Sequence, residues 1–207
     1  VPELPEDPAL YLQYLRGLDL FETASYSRED AGRTEQYREK AQRAAFEAAF
    51  QSYDDYLEAL QMRASAAAFD PFHYPRIAQL TQRSNQFNLR TVRYTEAEIE
   101  ALAQDDSRIG LYFTLKDKFG DHGLISVVVL EKQPEDTLFI SEWLMSCRVL
   151  KRGMEEFIVD KILSVAAQQG FRRVVGEYIP TPKNAMVKDL YEQLGFARLE
   201  NGRFQAE

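Results

Sequence analysis

Ser141-Glu142-Trp143-Leu144-Met145-Ser146-Cys147-Arg148-Val149-Leu150-Lys151-Arg152-Gly153-Met154-Glu155-Glu156-Phe157 is the stretch around which the rest of the chain is organised. The residues from Leu138 to Leu144 have strand character and lead into Cys147, the only cysteine. The run Arg148 to Gly153 follows, and from Gly153 an amphipathic helix begins with Phe157, Ile158, Ile162 and Val165 on its apolar stripe. A strand that passes through a glycine-containing loop into a helix N-terminus makes an anion site. Its free backbone N–H groups and the positive end of the dipole both face the ligand. One segment therefore offers a thiol and a phosphate cradle about a turn apart.

Outward from that segment the pattern alternates strands and helices. Ser65 to Phe69 reads as a short strand, and Pro75 to Asn85 as a helix with Ile77, Leu80 and Thr81 turned inward. Thr95-Glu96-Ala97-Glu98 opens a second helix that runs to Gln104. Arg108 to Leu115 and Leu124 to Glu131 are strands joined by Lys116 to Gly123, and Thr137 to Arg148 is the next strand. After the helix from Gly153 to Gln169 come a strand from Phe171 to Ile179, a helix from Asn184 to Leu194 capped by Gly195, and a strand from Phe196 to Phe204. The order implies a mixed, mostly antiparallel sheet with helices packed on it, an α/β (α+β) class over residues 65–207. Residues 1–64 read as an arm. Val1 to Pro8 is proline-rich and acidic and looks like the exit from an upstream domain. A helix opens at Pro8, Ser27-Arg28-Glu29-Asp30 starts a long charged helix to about Phe50, and Tyr53 to Arg63 continues helically.

Composition excludes several classes. The chain has 207 residues, 45% of them hydrophobic, enough for one full core. It carries no apolar run long enough for a membrane and no signal-peptide pattern, so the expectation is a soluble, cytoplasmic protein. One cysteine leaves neither a disulfide framework nor a cysteine-based zinc site, and no metal or tightly bound cofactor is expected. The net charge of −8 argues against nucleic acid as a partner. Residues 1–66 hold 7 basic and 13 acidic residues, leaving 18 and 20 for the rest, so the acidity belongs to the arm.

The element order and two local signatures resemble the GNAT acyltransferase fold. Arg148 to Gly153 stands where that family has its R-x-x-G-x-G/A pyrophosphate loop, with Lys151 in place of the first glycine. Asn184 to Phe196 (NAMVKDLYEQLGF) matches a later motif, an asparagine followed by L-Y-x-x-L-G-F. A lysine at 151 obstructs the approach of a diphosphate but still suits a single phosphate. A narrower resemblance rests on four longer words: Gln79 to Asn88 (QLTQRSNQFN), Leu115 to Asp121 (LKDKFGD), Trp143 to Leu150 (WLMSCRVL) and Gly176 to Thr181 (GEYIPT). These look like the C-terminal region of FkbH-like proteins, which join a haloacid-dehalogenase-type phosphatase domain to a GNAT-like domain. That family takes a glyceryl unit from 1,3-bisphosphoglycerate and places it on an acyl carrier protein in polyketide assembly. No D-x-D-x-T phosphatase motif occurs here, so the resemblance implies the acyltransferase part with its phosphatase domain upstream.

Each candidate residue has a plain reading beside the functional one. Cys147 is either a small buried residue at a strand end or the thioester-forming nucleophile that the resemblance implies, with Arg148 and Lys151 favouring thiolate. If the strands around Pro134-Glu135-Asp136 form a hairpin, paired residue numbers sum to roughly 270. That sets Cys147 across from about Gly123, beside His122. His122 is then the base, oriented by Asp121 or Asn85, or else Gly120 to Gly123 is only a tolerant turn. His73 reads as structural, and Trp143 as core. Asn85, Gln86 and Asn88 cap a loop or, with Arg148, touch a hydroxylated acyl group. Asn184 caps its helix or, with Lys151, Arg152 and Gly153, holds a phosphopantetheine arm. Glu177 contacts the substrate, or acts as base in a second reading, a coenzyme A-dependent N-acetyltransferase without a covalent intermediate. A third reading is a non-catalytic module that docks an acyl carrier protein.

Overall fold

The computed structural model describes residues 42, 43 and 46–206. The helices expected from Pro8 and from Ser27 lie outside the described residues. Contacts divide the chain into two compact units, Val1–Ala49 and Phe50–Glu207, and the second carries all the elements below.

Helix α1 (Tyr53–Ala59) is capped by the Ser52 hydroxyl, which accepts from Asp54 N, and carries two aspartates in its first turn. Strand β1 (Arg63–Ala68) follows, then helices α2 (Tyr74–Arg83) and α3 (Glu96–Ala103). The capping box expected at Thr95 is present: the Thr95 side chain accepts from Glu98 N while Glu98 Oε2 accepts from Thr95 N at 2.7 Å. Strands β2 (Arg108–Asp117), β3 (Gly120–Gln133) and β4 (Thr137–Met145) form an antiparallel meander. The β2–β3 connection is a tight turn rather than the longer loop expected over Lys116 to Gly123. Helix α4 (Met154–Gln168) crosses over to β5 (Arg173–Gly176), which pairs with β4 in parallel. Helix α5 (Leu190–Gln193) and the strands β6 (Ala197–Arg198) and β7 (Phe204–Ala206) complete the chain. The seven strands form one sheet in the order β1-β2-β3-β4-β5-β7-β6.

Both faces are covered, which explains why β3 and β4 are apolar without alternation. Ile77, Leu80 and Ile99 from α2 and α3 pack on Tyr112, Val127 and Leu144. On the other face Ile158 and Ile162 of α4 and Tyr191 of α5 lie against Phe113, Val128, Ile140 and the fully buried Trp143. Gly176 lets Tyr191 close on the sheet, since a Cβ there would stand 2.3 Å from the ring carbon Cζ.

Two C-terminal expectations are corrected. Asn184–Leu194 is not one helix: a 3₁₀ turn at Ala185–Val187 precedes the four residues of α5. Asn184 makes no cap, because its side chain is drawn into the core instead. Phe196–Phe204 is not one strand but two, because Asn201-Gly202 turns the chain, with Gly202 at φ +80° and Leu199 N donating to Arg203 O at 2.7 Å.

Strands β4 and β5 pair only from Thr137/Arg173 to Ile140/Gly176. At Ser141 a bulge in β4 opens the ladder, and beyond it the two strands part. Phe87-Asn88-Leu89 fills the gap. Leu89 N donates to Trp143 O at 3.0 Å, Met145 N to Phe87 O at 3.0 Å, and on the far side Ile179 N to Leu89 O at 2.8 Å. All three inserted residues are buried. The diverging edges would otherwise leave rows of polar backbone groups without partners.

Candidate functional site

The end of β4 positions the thiol. The strand stops at Met145, short of the expected Arg148. Ser146 N still donates to Ile125 O at 2.7 Å, and Cys147 then opens a 3₁₀ turn over Cys147–Val149. Val149 is buried and anchors the turn, whereas Cys147 is exposed, which removes the reading of a small buried strand-end residue. The α4 N-terminus begins only at Met154, so the rest of the turn separates the thiol from it. Arg148 is exposed, and its Nε donates to Ser146 Oγ at 3.2 Å. Arg76 on α2 lies near enough to Arg148 and Arg83 that burial and their charges hold its guanidinium below its ordinary value.

The hairpin register runs as expected. Gln133 pairs with Thr137 and Leu130 with Ile140, a sum of 270, and past the bulge Ser126 pairs with Met145, a sum of 271. The paired register ends at Ser126/Met145; the chain then leaves the strand for the turn that opens at Cys147, while β3 runs back from Ser126 to His122. His122 is itself the extra residue of a bulge on β3, between the pairs Leu115/Gly123 and Lys116/Asp121. Bulges re-aim side chains. Here the ring is turned onto Asp117, with Nε2 at 2.8 Å from Oδ2.

Asp121 and Asn85, the partners expected for His122, are engaged elsewhere. Asp121 pairs with Lys116 Nζ at 2.8 Å and accepts from Gly123 N at 2.8 Å; these contacts hold its carboxyl below the usual range. Asn85 Oδ1 accepts from Arg93 Nη2, while Gln86 is exposed. Asp117 was hidden from sequence reading because Lys116-Asp117-Lys118 looks like a solvated turn.

In the anion loop, Lys151 has φ +60° and Gly153 φ +74°. The left-handed conformation at 151 is the physical reason for glycine in the motif it resembles, and lysine bears that strain here. The Lys151 carbonyl accepts from the Tyr53 hydroxyl. Lys151 is exposed, but Arg152 is 9% exposed and turned inward, with Nη1 3.2 Å from Asp117 Oδ2 and Nη2 donating to Arg148 O at 3.0 Å. That corrects its assignment to the phosphopantetheine arm. The seat itself holds a carboxylate of the chain. Lys151 N donates to Glu155 Oε1 at 3.4 Å, and burial pushes the Glu155 carboxyl up against the pull of the N–H groups of Glu155, Lys151 and Met154.

Asn184 is fully buried and spent internally. Its Nδ2 donates to Asn88 O and Ile179 O, both at 2.9 Å, and its Oδ1 accepts from Thr181 N at 2.7 Å and Tyr178 Oη at 3.2 Å. Nothing is left for a ligand, so its role is to latch the inserted segment. Glu177 is held by Arg90 Nε at 3.0 Å and Arg203 Nε at 3.5 Å, one guanidinium on each oxygen. His73 bonds Asp70 through Nδ1 at 2.8 Å, and Tyr112 Oη donates to the same carboxylate at 2.9 Å. Glu142 is a further buried carboxylate, on β4. Oε2 accepts from Val92 N at 2.6 Å and Oε1 from Trp143 N at 3.1 Å, yet burial raises its pKa to about 7. A charged residue inside an apolar strand was the signal for it. Among the described residues no group of three or more His, Cys, Asp or Glu could hold a metal ion, and no helix is long and apolar enough to cross a membrane.

The overall architecture recurs in solved structures. The GNAT domain of PAT from S. lividans matches with TM-score 0.53 at 17% identity, over 69% of this chain and 89% of that one. The chain has the GNAT fold. Two further structures with it are spermidine N-acetyltransferase from Vibrio cholerae in complex with CoA and spermine (TM-score 0.51, 15% identity, 69% and 94% covered) and Ard1 from Thermoplasma volcanium (TM-score 0.51, 17% identity, 69% and 96% covered). No family model matches the chain, and no curated protein does. On this GNAT fold the thiol, the anion loop and the His122 bulge all stand at one end of the β3–β4 hairpin.

Proposed function

We propose that the chain is an acyltransferase that carries a glyceryl-type, three-carbon hydroxyacyl unit as a Cys147 thioester and delivers it to the phosphopantetheine thiol of an acyl carrier protein. The observation that carries this reading is the exposed Cys147 thiol at the end of the central strand, in a turn that also bears Arg148. The FkbH-like words around it and the GNAT fold support the same chemistry. The donor is an acyl phosphate of the 1,3-bisphosphoglycerate type. The Cys147 sulfur attacks the carbonyl carbon, and the carbon–oxygen bond breaks with its electrons leaving on phosphate, which Arg148 and Arg76 stabilise. His122 takes the thiol proton and hands it to the departing phosphate, which leaves the imidazole neutral for the second half. In the second half the carrier thiol gives its proton to His122 and attacks the thioester, and Cys147 leaves with the carbon–sulfur electrons.

Intact-mass measurement after incubation with an acyl phosphate donor tests this. The wild type gains one acyl unit, and Cys147→Ser keeps its fold but gains none. Undiminished transfer to the carrier by the serine variant overturns the covalent route. A second reading, coenzyme A-dependent N-acetylation, is favoured by the Vibrio cholerae neighbour in complex with CoA. Glu155 on the loop N–H groups weighs against it, since bound diphosphate would have to displace a carboxylate. Calorimetry with coenzyme A separates the two: tight binding together with no adduct favours N-acetylation. Carrier binding with neither favours a docking module. The upstream phosphatase domain, the carrier partner and a cytoplasmic location belong to the same proposal.

A further inference from the structure

Three side chains meet where the turn after β4 touches the end of the β2–β3 hairpin. Asp117 Oδ2 is shared between His122 Nε2 at 2.8 Å and Arg152 Nη1 at 3.2 Å, and Arg152 Nη2 reaches on to Arg148 O at 3.0 Å. The side-chain exposures are 0% for Asp117, 7% for His122 and 9% for Arg152. Taking such a group out of water costs several kcal/mol per ion, and well-packed apolar residues in its place are often neutral or better for stability. What the trio supplies is position. The hairpin carries the imidazole, the turn carries Cys147, and Arg152 joins the two through one carboxylate.

We propose that Asp117 is the positioning residue of a Cys147–His122 pair. A carboxylate oxygen already facing a guanidinium acts as an acceptor, so the His122 proton sits on Nε2 and Nδ1 is the basic nitrogen. Asp117 thereby fixes the tautomer and ring orientation, and it stabilises the imidazolium that forms when His122 takes the Cys147 proton. Through Arg152 it also fixes where the turn stands relative to the ring. This inference rests on the reading of Cys147 as the acyl carrier and of His122 as its base. Other charged groups on these elements include Lys116, Lys118 and Asp121 on the hairpin, Arg148 and Lys151 on the turn, Glu155 and Glu156 on α4, and Arg76 and Arg83 on α2.

Two measurements on the full chain test it. Long-range ¹⁵N–¹H correlation of the wild type reads the histidine tautomers with no variant at all. His122 is expected with its proton on Nε2 and His73, which faces Asp70 through Nδ1, with its proton on Nδ1. A proton on Nδ1 of His122 overturns the inference. The second measurement is the pH–rate profile of iodoacetamide alkylation, which reads Cys147 alone because it is the only cysteine. The wild type is expected to react through a neutral-pH arm that His122→Ala abolishes. Asp117→Asn, whose amide donates where the carboxylate accepted, is expected to lower the rate at pH 7 by about tenfold or more, as for loss of a positioned base. Above about pH 9, where an ordinary thiol ionises unaided, the rate should be unchanged. A profile like the wild type's, or a uniform fall at every pH, overturns the inference. So does a further fall when Asp117→Asn is added to His122→Ala. The two readings fail separately. Absence of an acyl adduct with the tautomer and neutral arm intact sinks acyl transfer alone, while an adduct forming at wild-type speed in Asp117→Asn sinks the positioning role alone.

Discussion

Replacing Glu142 by glutamine should remove a large part of the pH dependence of folding. Two backbone N–H groups and the charges of Arg90 and Arg93 favour the Glu142 carboxylate, but burial outweighs them and raises its pKa from the ordinary 4.5 to about 7. The native state therefore binds this proton more tightly than the unfolded chain does. The stabilisation is fully present below pH 4.5 and is lost as pH rises through about 7. At about 1.4 kcal/mol per pH unit, that interval corresponds to a loss on the order of 3 kcal/mol. Glutamine keeps the shape but turns one acceptor into a donor facing Val92 N or Trp143 N, a nearly pH-independent cost of about 1–3 kcal/mol. Urea titrations from pH 4.5 to 8 should show the wild type more stable at the acid end and the two curves converging or crossing near neutrality. Parallel curves over that range would refute the reasoning, because they would mean that Glu142 titrates alike in both states.

Other substitutions test the loop and the latch. Lys151→Gly should stabilise the fold by up to about 1 kcal/mol, since relief of the left-handed conformation, about 1–2 kcal/mol, exceeds the added backbone entropy of glycine, about 0.5–1 kcal/mol. A lower denaturant midpoint would show that the lysine side chain contributes more than the strain costs. Asn184→Ala strips partners from Asn88 O, Ile179 O and Thr181 N at about 1–3 kcal/mol for each group left buried. Hydrogen exchange should speed up first at the amide of Ile179, and uniform acceleration across the sheet would contradict a local latch.

The strand and helix periods were legible because both faces of one sheet are covered and the apolar runs are long. The hairpin arithmetic held to one residue, since the bulge at Ser141 is the only shift between β3 and β4. Thr95 was legible as a cap from its own residues. The failures share one cause, the tertiary use of a polar side chain that local rules assign elsewhere. Asn184 looks like a cap but serves one distant carbonyl, Asn88 O, and one nearby, Ile179 O, and Arg152 looks like a phosphate ligand but faces Asp117. Asp121, adjacent in sequence, looked like the partner of His122, while a bulge aims the ring at Asp117. Glu155, to which the sequence reading gave no role, sits in the anion seat itself. Asn201-Gly202 is a turn signal inside the stretch expected to be one strand, and there local turn chemistry overrides the strand pattern.

The inserted segment Phe87–Leu89 also sets an order of assembly. It precedes both strands that it joins, so it must wait for β4 and then for the chain beyond β5 before its hydrogen bonds can form. Until then β4 presents an open edge from Ser141 to Met145, in the middle of the sheet and not at its rim. Closure over such sequence distances is entropically slow and exposes that edge meanwhile. A chain cut between Leu89 and β2 would keep every strand from β2 to β7 and the whole Cys147 turn. It would nonetheless carry a permanent cleft with unpaired backbone on both walls, and the natural filler for such a cleft is a strand from another molecule. Fragments of that kind should be lost to association before any question of activity arises.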